Sequence, residues 1–148
     1  MSGRGDGHRW ADAPRGVRVT FAVLVAIFAY GAAVHLTQLH LGGLDPYPAM
    51  PSWLAAYFGS LALLDPAAAL LLALRRRAGL ALGAVVLTTD ALANAYANYV
   101  VDRTGGVTPG RMGQAVIAAL ALGLLLAAPR IAPWLNGGRD RAGRFSGR

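Results

Sequence analysis

The sequence predicts an all-α integral membrane protein whose four transmembrane helices form an up-and-down antiparallel bundle with both termini inside. Three observations carry this prediction. Of 148 residues, 55% are apolar and only 14% are charged, a balance displaced toward membrane proteins. The apolar residues lie in four long blocks, at 19–41, 53–74, 79–101 and 109–128, each near the roughly 20 residues that a helix needs to cross about 30 Å of hydrocarbon. Arginine alternates between rich and poor segments from one inter-block stretch to the next. A soluble fold would need amphipathic faces turned to water, and four all-apolar helices in this length leave none.

The charge pattern sets the orientation. Arg4, Arg9, Arg15 and Arg18 precede the first block, Arg75, Arg76 and Arg77 separate the second from the third, and Arg130, Arg139, Arg141, Arg144 and Arg148 follow the fourth. The first loop has no basic residue and the third has only Arg103 and Arg111. Short Arg-rich segments stay in the cytoplasm, so the termini and the Arg75–Arg77 loop are expected inside and the other two loops outside. The net charge of +7 then faces the inner leaflet, where anionic head groups attract it by about 1 kcal/mol per basic residue. The expected partners are therefore the lipid bilayer and its anionic head groups, at Arg75, Arg76, Arg77 and the terminal arms, and no nucleic acid is required. Residues 1–16 and 135–148, rich in Gly and Arg with little to bury, are expected to be disordered arms around a 17–134 transmembrane domain.

Each block has its own markers. The first is too long for the apolar region of about 7–15 residues of a signal peptide and carries His35, Gln38 and His40 near its far end, so it is expected to remain as a helix. Trp53 and Tyr57 open the second block, Tyr96 and Tyr99 close the third, and Trp134 follows the fourth, as an interfacial aromatic belt would place them. Asp65-Pro66 near the centre of the second block predicts a kink or break, because proline removes a backbone donor and frees the Ala62 carbonyl. A break would leave Asp65 capping a half-helix, the device by which transporters build midplane sites. Thr108 and Pro109 read as N-cap and first residue of the fourth helix, along which Ala115, Ala119, Gly123 and Ala127 form a smooth stripe suited to close helix packing.

Composition excludes several chemistries. The chain has no cysteine, which removes disulfides, thiolate metal sites and thiol catalysis. All basic residues are Arg and all acidic ones Asp; with heavy use of Ala, Gly and Pro this resembles a high-GC bacterial genome, so a bacterial inner membrane is the expected location. His35 and His40 point about 140° apart on a helix and His8 lies in the N-terminal arm, so neither a metal site nor a cofactor is expected.

What remains is a small set of polar residues inside the spans, each costing a few kcal/mol to insert and so demanding a reason. Asp90, Asn94 and Asn98 step round by 40° each and form one stripe on the third helix. His35 and Gln38 share a face of the first helix, and Asp65 sits at the depth of Asp90. Together Asp65, Asp90, Asn94, His35, Gln38 and Asn98 are the candidate ligand-binding residues, in a pocket for a proton, a cation or an amphiphilic ligand. Three functions follow from them. A binding or transport module uses the acidic pair with no Lys or Arg at its depth. An intramembrane enzyme acting on a lipid or isoprenoid uses His35 and Asp90 as acid and base, with His35 within reach of Asp90 or Asn94. A subunit of a larger membrane-protein complex would turn the Asp90 stripe outward toward its partner. The bland alternative is interhelical hydrogen-bond glue at about 0.6 kcal/mol per pair.

Overall fold

The computed structural model describes residues 10–43 and 45–136, and these form an all-α, up-and-down four-helix bundle. Helix α1 spans Arg15–Gly42, α2 Ser52–Ala73, α3 Arg77–Tyr96 and α4 Pro109–Ile131. A single π-helical turn, Ala97–Val101, extends α3, and a 3₁₀ turn, Ala132–Trp134, extends α4. All four elements are long and apolar enough to cross a membrane. Their exterior is as apolar as their interior: Val19, Val23, Leu63, Val85, Leu92, Leu122 and Leu126 are all at least half exposed, a surface that in water would be one continuous aggregation patch.

Local chemistry explains the helix ends. Pro14 and Pro51 precede α1 and α2 in extended conformation, where a residue without an N–H costs nothing. Gly43 ends α1 at φ 59, a left-handed position that suits glycine. The Thr108 side chain accepts from the Arg111 N–H at 3.2 Å, with Pro109 as first helical residue, as the sequence predicts. Helix α2 ends differently. Arg75 takes φ 56, its N–H donates to the Leu72 carbonyl, and the Arg76 N–H donates to Leu71 at 2.9 Å, a Schellman closure with arginine where glycine is usual. The Arg75 guanidinium lies 4.9 Å from the centre of the Trp10 ring, a contact worth about 0.5–1 kcal/mol that offsets the left-handed backbone. Gly79 lets α3 turn back tightly, since a Cβ there would stand 2.5 Å from the Leu72 nitrogen.

Two expectations are corrected here. Pro66 neither breaks α2 nor makes Asp65 a cap: the helix runs unbroken from Ser52 to Ala73, with Asp65 buried within it, as membrane helices tolerate proline when they are packed among neighbours. Of the stripe Ala115, Ala119, Gly123 and Ala127, the first three are exposed and only Ala127 packs against the core, while α4 buries Ala121, Leu124 and Ile131; large side chains filling the core outweigh close backbone approach on this helix. The described residues of the two expected arms make contacts with the bundle. Trp10 packs edge-on against Phe21 at 4.7 Å, Ala13 and Leu135 are buried, and Asn136 exchanges backbone hydrogen bonds with Arg75 (2.8 Å) and Arg77 (3.2 Å). The rest of both arms lies outside the described residues.

The core runs through the middle of the bundle on Phe28, Leu54, Leu61, Leu72 and Leu124, all essentially fully buried. Phe28 packs against Gly83, whose missing Cβ would sit 2.8 Å from the ring, so the glycine makes room for the phenylalanine between α1 and α3. Helices α1 and α4 touch far less than the sequential pairs do.

Candidate functional site

The polar residues of three helices converge. His35 and Gln38 on α1 bond to each other, His35 Nδ1 to Gln38 Oε1 at 3.1 Å, which realises the shared face that helical geometry requires. On α3 the Asn94 amide donates to Asp90 Oδ1 at 2.9 Å and to the Asp90 carbonyl at 3.0 Å. The Asn98 amide donates to the Asn94 carbonyl at 2.8 Å, so the Asp90 stripe is a linked ladder. Asp65 and Asp90 are 6% and 9% exposed, so neither carboxylate faces the outside of the bundle. His40 is exposed and takes no part, as its angle on the helix implies.

All six candidate residues line one cavity of about 690 Å³. Its lining draws on α1, α2, α3 and α4 and contains neither Lys nor Arg. Phe28, Val86, Leu87 and Phe58 supply apolar walls around the acids. The volume falls in the range of about 300–1,000 Å³ typical of small-molecule sites, and apolar walls with a few polar groups are their usual make-up. Among the described residues no group of three metal-ligating side chains exists.

Histidine has a different partner from the one the enzyme reading needs. Its Nε2 stands 3.8 Å from Asp65 Oδ2, across the α1–α2 interface, and among the described residues it makes no bond to Asp90 or Asn94. The cause lies one turn below, at Gly31: a Cβ there would collide with the Asp65 carboxylate. The absence of a side chain lets Asp65 lie against α1, within reach of His35. The outward-facing stripe required by the complex-subunit reading is also absent, since Asp90 points into the cavity.

Several residues of the site carried no sequence signal. Tyr47, in the loop between α1 and α2, donates its hydroxyl to Gln38 Oε1 at 2.8 Å, lies 3.4 Å from His35 Nδ1, and packs on Phe58 at 5.5 Å. Pro46 and Pro48 flank it, each with its φ fixed by the ring, which restricts the loop on both sides of the tyrosine. Burial, assisted by the charge of Asp90, raises the pKa of the Tyr47 phenol, so the roof is a hydroxyl donor at neutral pH. Asp102, at the end of the π turn, also lines the cavity; bonds from the Thr104 backbone and side chain hold its pKa below the usual carboxylate value. Arg111 organises this end. It donates Nε to the Asn98 carbonyl at 3.2 Å and Nη1 to Gly106 at 2.6 Å, bonds the Thr104 carbonyl through Nη2, and lies over Tyr99 at 5.0 Å. One of the two arginines of the third loop is thus committed to closing carbonyls.

Comparison with known protein families, known proteins and solved structures yields no match. The fold and the cavity by themselves define the class: a four-helix bundle with four potential membrane spans and an acid-lined internal cavity.

Proposed function

We propose that this chain is a multi-pass membrane protein, with both termini cytoplasmic, that binds or carries an amphiphilic cation in its central cavity. The observation that carries the reading is the pairing of two buried aspartates with a largely apolar cavity of about 690 Å³ whose lining has neither Lys nor Arg. Two carboxylates in a low-dielectric interior, with a single histidine beside one of them and no Lys or Arg in the lining, leave room for a further positive charge, a protonated amine, a metal cation or a proton. The apolar walls favour an organic cation over a bare one, because hydrated ions are held by oxygen ligands on all sides. Asn94 and Asn98 orient the head, and Tyr47, Gln38 and His35 close over it. The arginine distribution supports the orientation, and Arg75, Arg76 and Arg77 then meet anionic head groups at the inner surface.

The test is binding of butylamine and dodecylamine to the protein in lipid nanodiscs, read as a rise in melting temperature. Asp90→Asn and Asp65→Asn should each weaken binding at least about tenfold, equivalent to about 1.4 kcal/mol. Undiminished binding by both variants would return the aspartates to the role of helix-packing glue.

A further inference from the structure

The cavity has a roof but lacks a complete side wall. Tyr47, bonded to Gln38 and packed on Phe58, covers it on the side of the α1–α2 loop. Between α1 and α4 the lining is discontinuous: the two helices meet only sparingly, yet each supplies residues to the cavity, and several of these lie on the protein surface. Gly113 is exposed, Val116 is 59% exposed and Tyr30 is 73% exposed while lining the same cavity. A residue that lines a cavity and is also largely exposed marks where that cavity reaches the outside.

Tyr30 is the informative member. It lies within two residues of the middle of the 28-residue α1, about 18 Å from the outer end at about 1.5 Å per residue, and makes no side-chain hydrogen bond among the described residues. Tyrosines of membrane helices belong at the interfaces, where the hydroxyl meets water, as Tyr57, Tyr96 and Tyr99 do near helix ends. A phenol exposed at mid-span costs insertion energy, with no partner among the described residues to offset it. The remaining lips, Val34, Ile117 and Leu120, are apolar.

We propose that the cavity is loaded sideways from the bilayer through the slot between α1 and α4, and that its ligand is a single-chain amphiphilic amine whose tail remains in the slot. The ammonium passes Tyr30, which accepts a hydrogen bond from it at the lip, and comes to rest at Asp65 and Asp90. The alkyl chain lies between Val34 and Ile117 and emerges past Val116 into lipid. This inference rests on the cavity being an amine site, as proposed above, and adds the route and the tail.

The absence of native cysteine permits a direct test. A nitroxide is attached to Val116→Cys at the slot or to Leu122→Cys, exposed on the same helix but outside the cavity, in the full chain in nanodiscs. Butylamine and dodecylamine should both raise the melting temperature, and Asp90→Asn should remove both effects. Dodecylamine alone should slow the nitroxide at position 116 several-fold and leave that at 122 unchanged; loss of dodecylamine binding on labelling 116, with butylamine binding kept, supports the slot equally. If both amines bind through Asp90 while the label at 116 remains as mobile as before, the lateral route is wrong and the amine site stands. If neither amine binds, both fall.

Discussion

The Asp65 carboxylate occupies the notch left by the missing side chain of Gly31, and this one contact decides which acid histidine serves. A Cβ at Gly31 would run into Asp65 Oδ2, while His35, one turn further along the same face, stands 3.8 Å from that same oxygen. Gly31→Ala should therefore push Asp65 away from α1, cost about 1–3 kcal/mol through overpacking, and weaken butylamine binding. Melting temperature and binding, measured together in nanodiscs, check it. A variant with unchanged binding would show that the position of Asp65 against α1 is immaterial to the site.

The two glycines at helix faces make opposite predictions. Gly83→Ala places a methyl into the Phe28 ring at 2.8 Å and should destabilise by about 1–3 kcal/mol. Gly123, with nothing within 4 Å, should accept leucine within about 0.5 kcal/mol. Unfolding by denaturing detergent compares them. A large loss at Gly123→Leu would reveal a partner packed on the exposed stripe of α4.

Tyr47→Phe removes the hydroxyl that closes the cavity over Gln38. The loss should be about 0.5–1.5 kcal/mol, with faster exchange of butylamine from the site. The sign of its pH dependence follows from the raised phenol pKa: the stabilisation is fully present below the ordinary phenol pKa of about 10 and is lost as pH rises through the folded value. Alkaline melting curves of the parent should fall in that window more steeply than those of Tyr47→Phe.

Arg111 joins the π turn of α3 to the start of α4 through the carbonyls of Asn98, Gly106 and Thr104. Arg111→Gln should free these groups at a total cost of about 1–3 kcal/mol. Amide hydrogen exchange over residues 98–106 should accelerate, with the Arg75–Asn136 contacts at the opposite end of the bundle unaffected. Equal exchange in both proteins would mean that the loop holds its shape without the arginine.

Orientation is testable by labelling because the parent chain has no thiol. Asp45→Cys and Arg76→Cys both place cysteine at exposed positions, avoiding Tyr47, whose ring is committed to the roof. A membrane-impermeant maleimide on intact cells should modify the first and spare the second. The reverse pattern would invert the topology drawn from the arginines.

The sequence by itself determined the four helices, their approximate ends and the identity of the polar set. These follow from block length, from caps such as Thr108 and from 100° geometry, all of which are local and need no knowledge of neighbours. It likewise predicted that Asp90, Asn94 and Asn98 share a stripe and that His40 diverges from His35. Only the tertiary structure decided what these residues face. Which acid His35 meets depends on a glycine one turn away on its own helix and on the approach of α2. Whether Pro66 breaks α2 depends on the packing around it, and whether the small-residue stripe of α4 is buried depends on which face fills the core best. Tyr47 entered the site through a loop with no periodicity, and Trp10 and Leu135 were drawn in by contacts from distant segments. Such outcomes are set by shape fitting across interfaces, information that is spread over residues far apart in the chain and has no signature in any one of them.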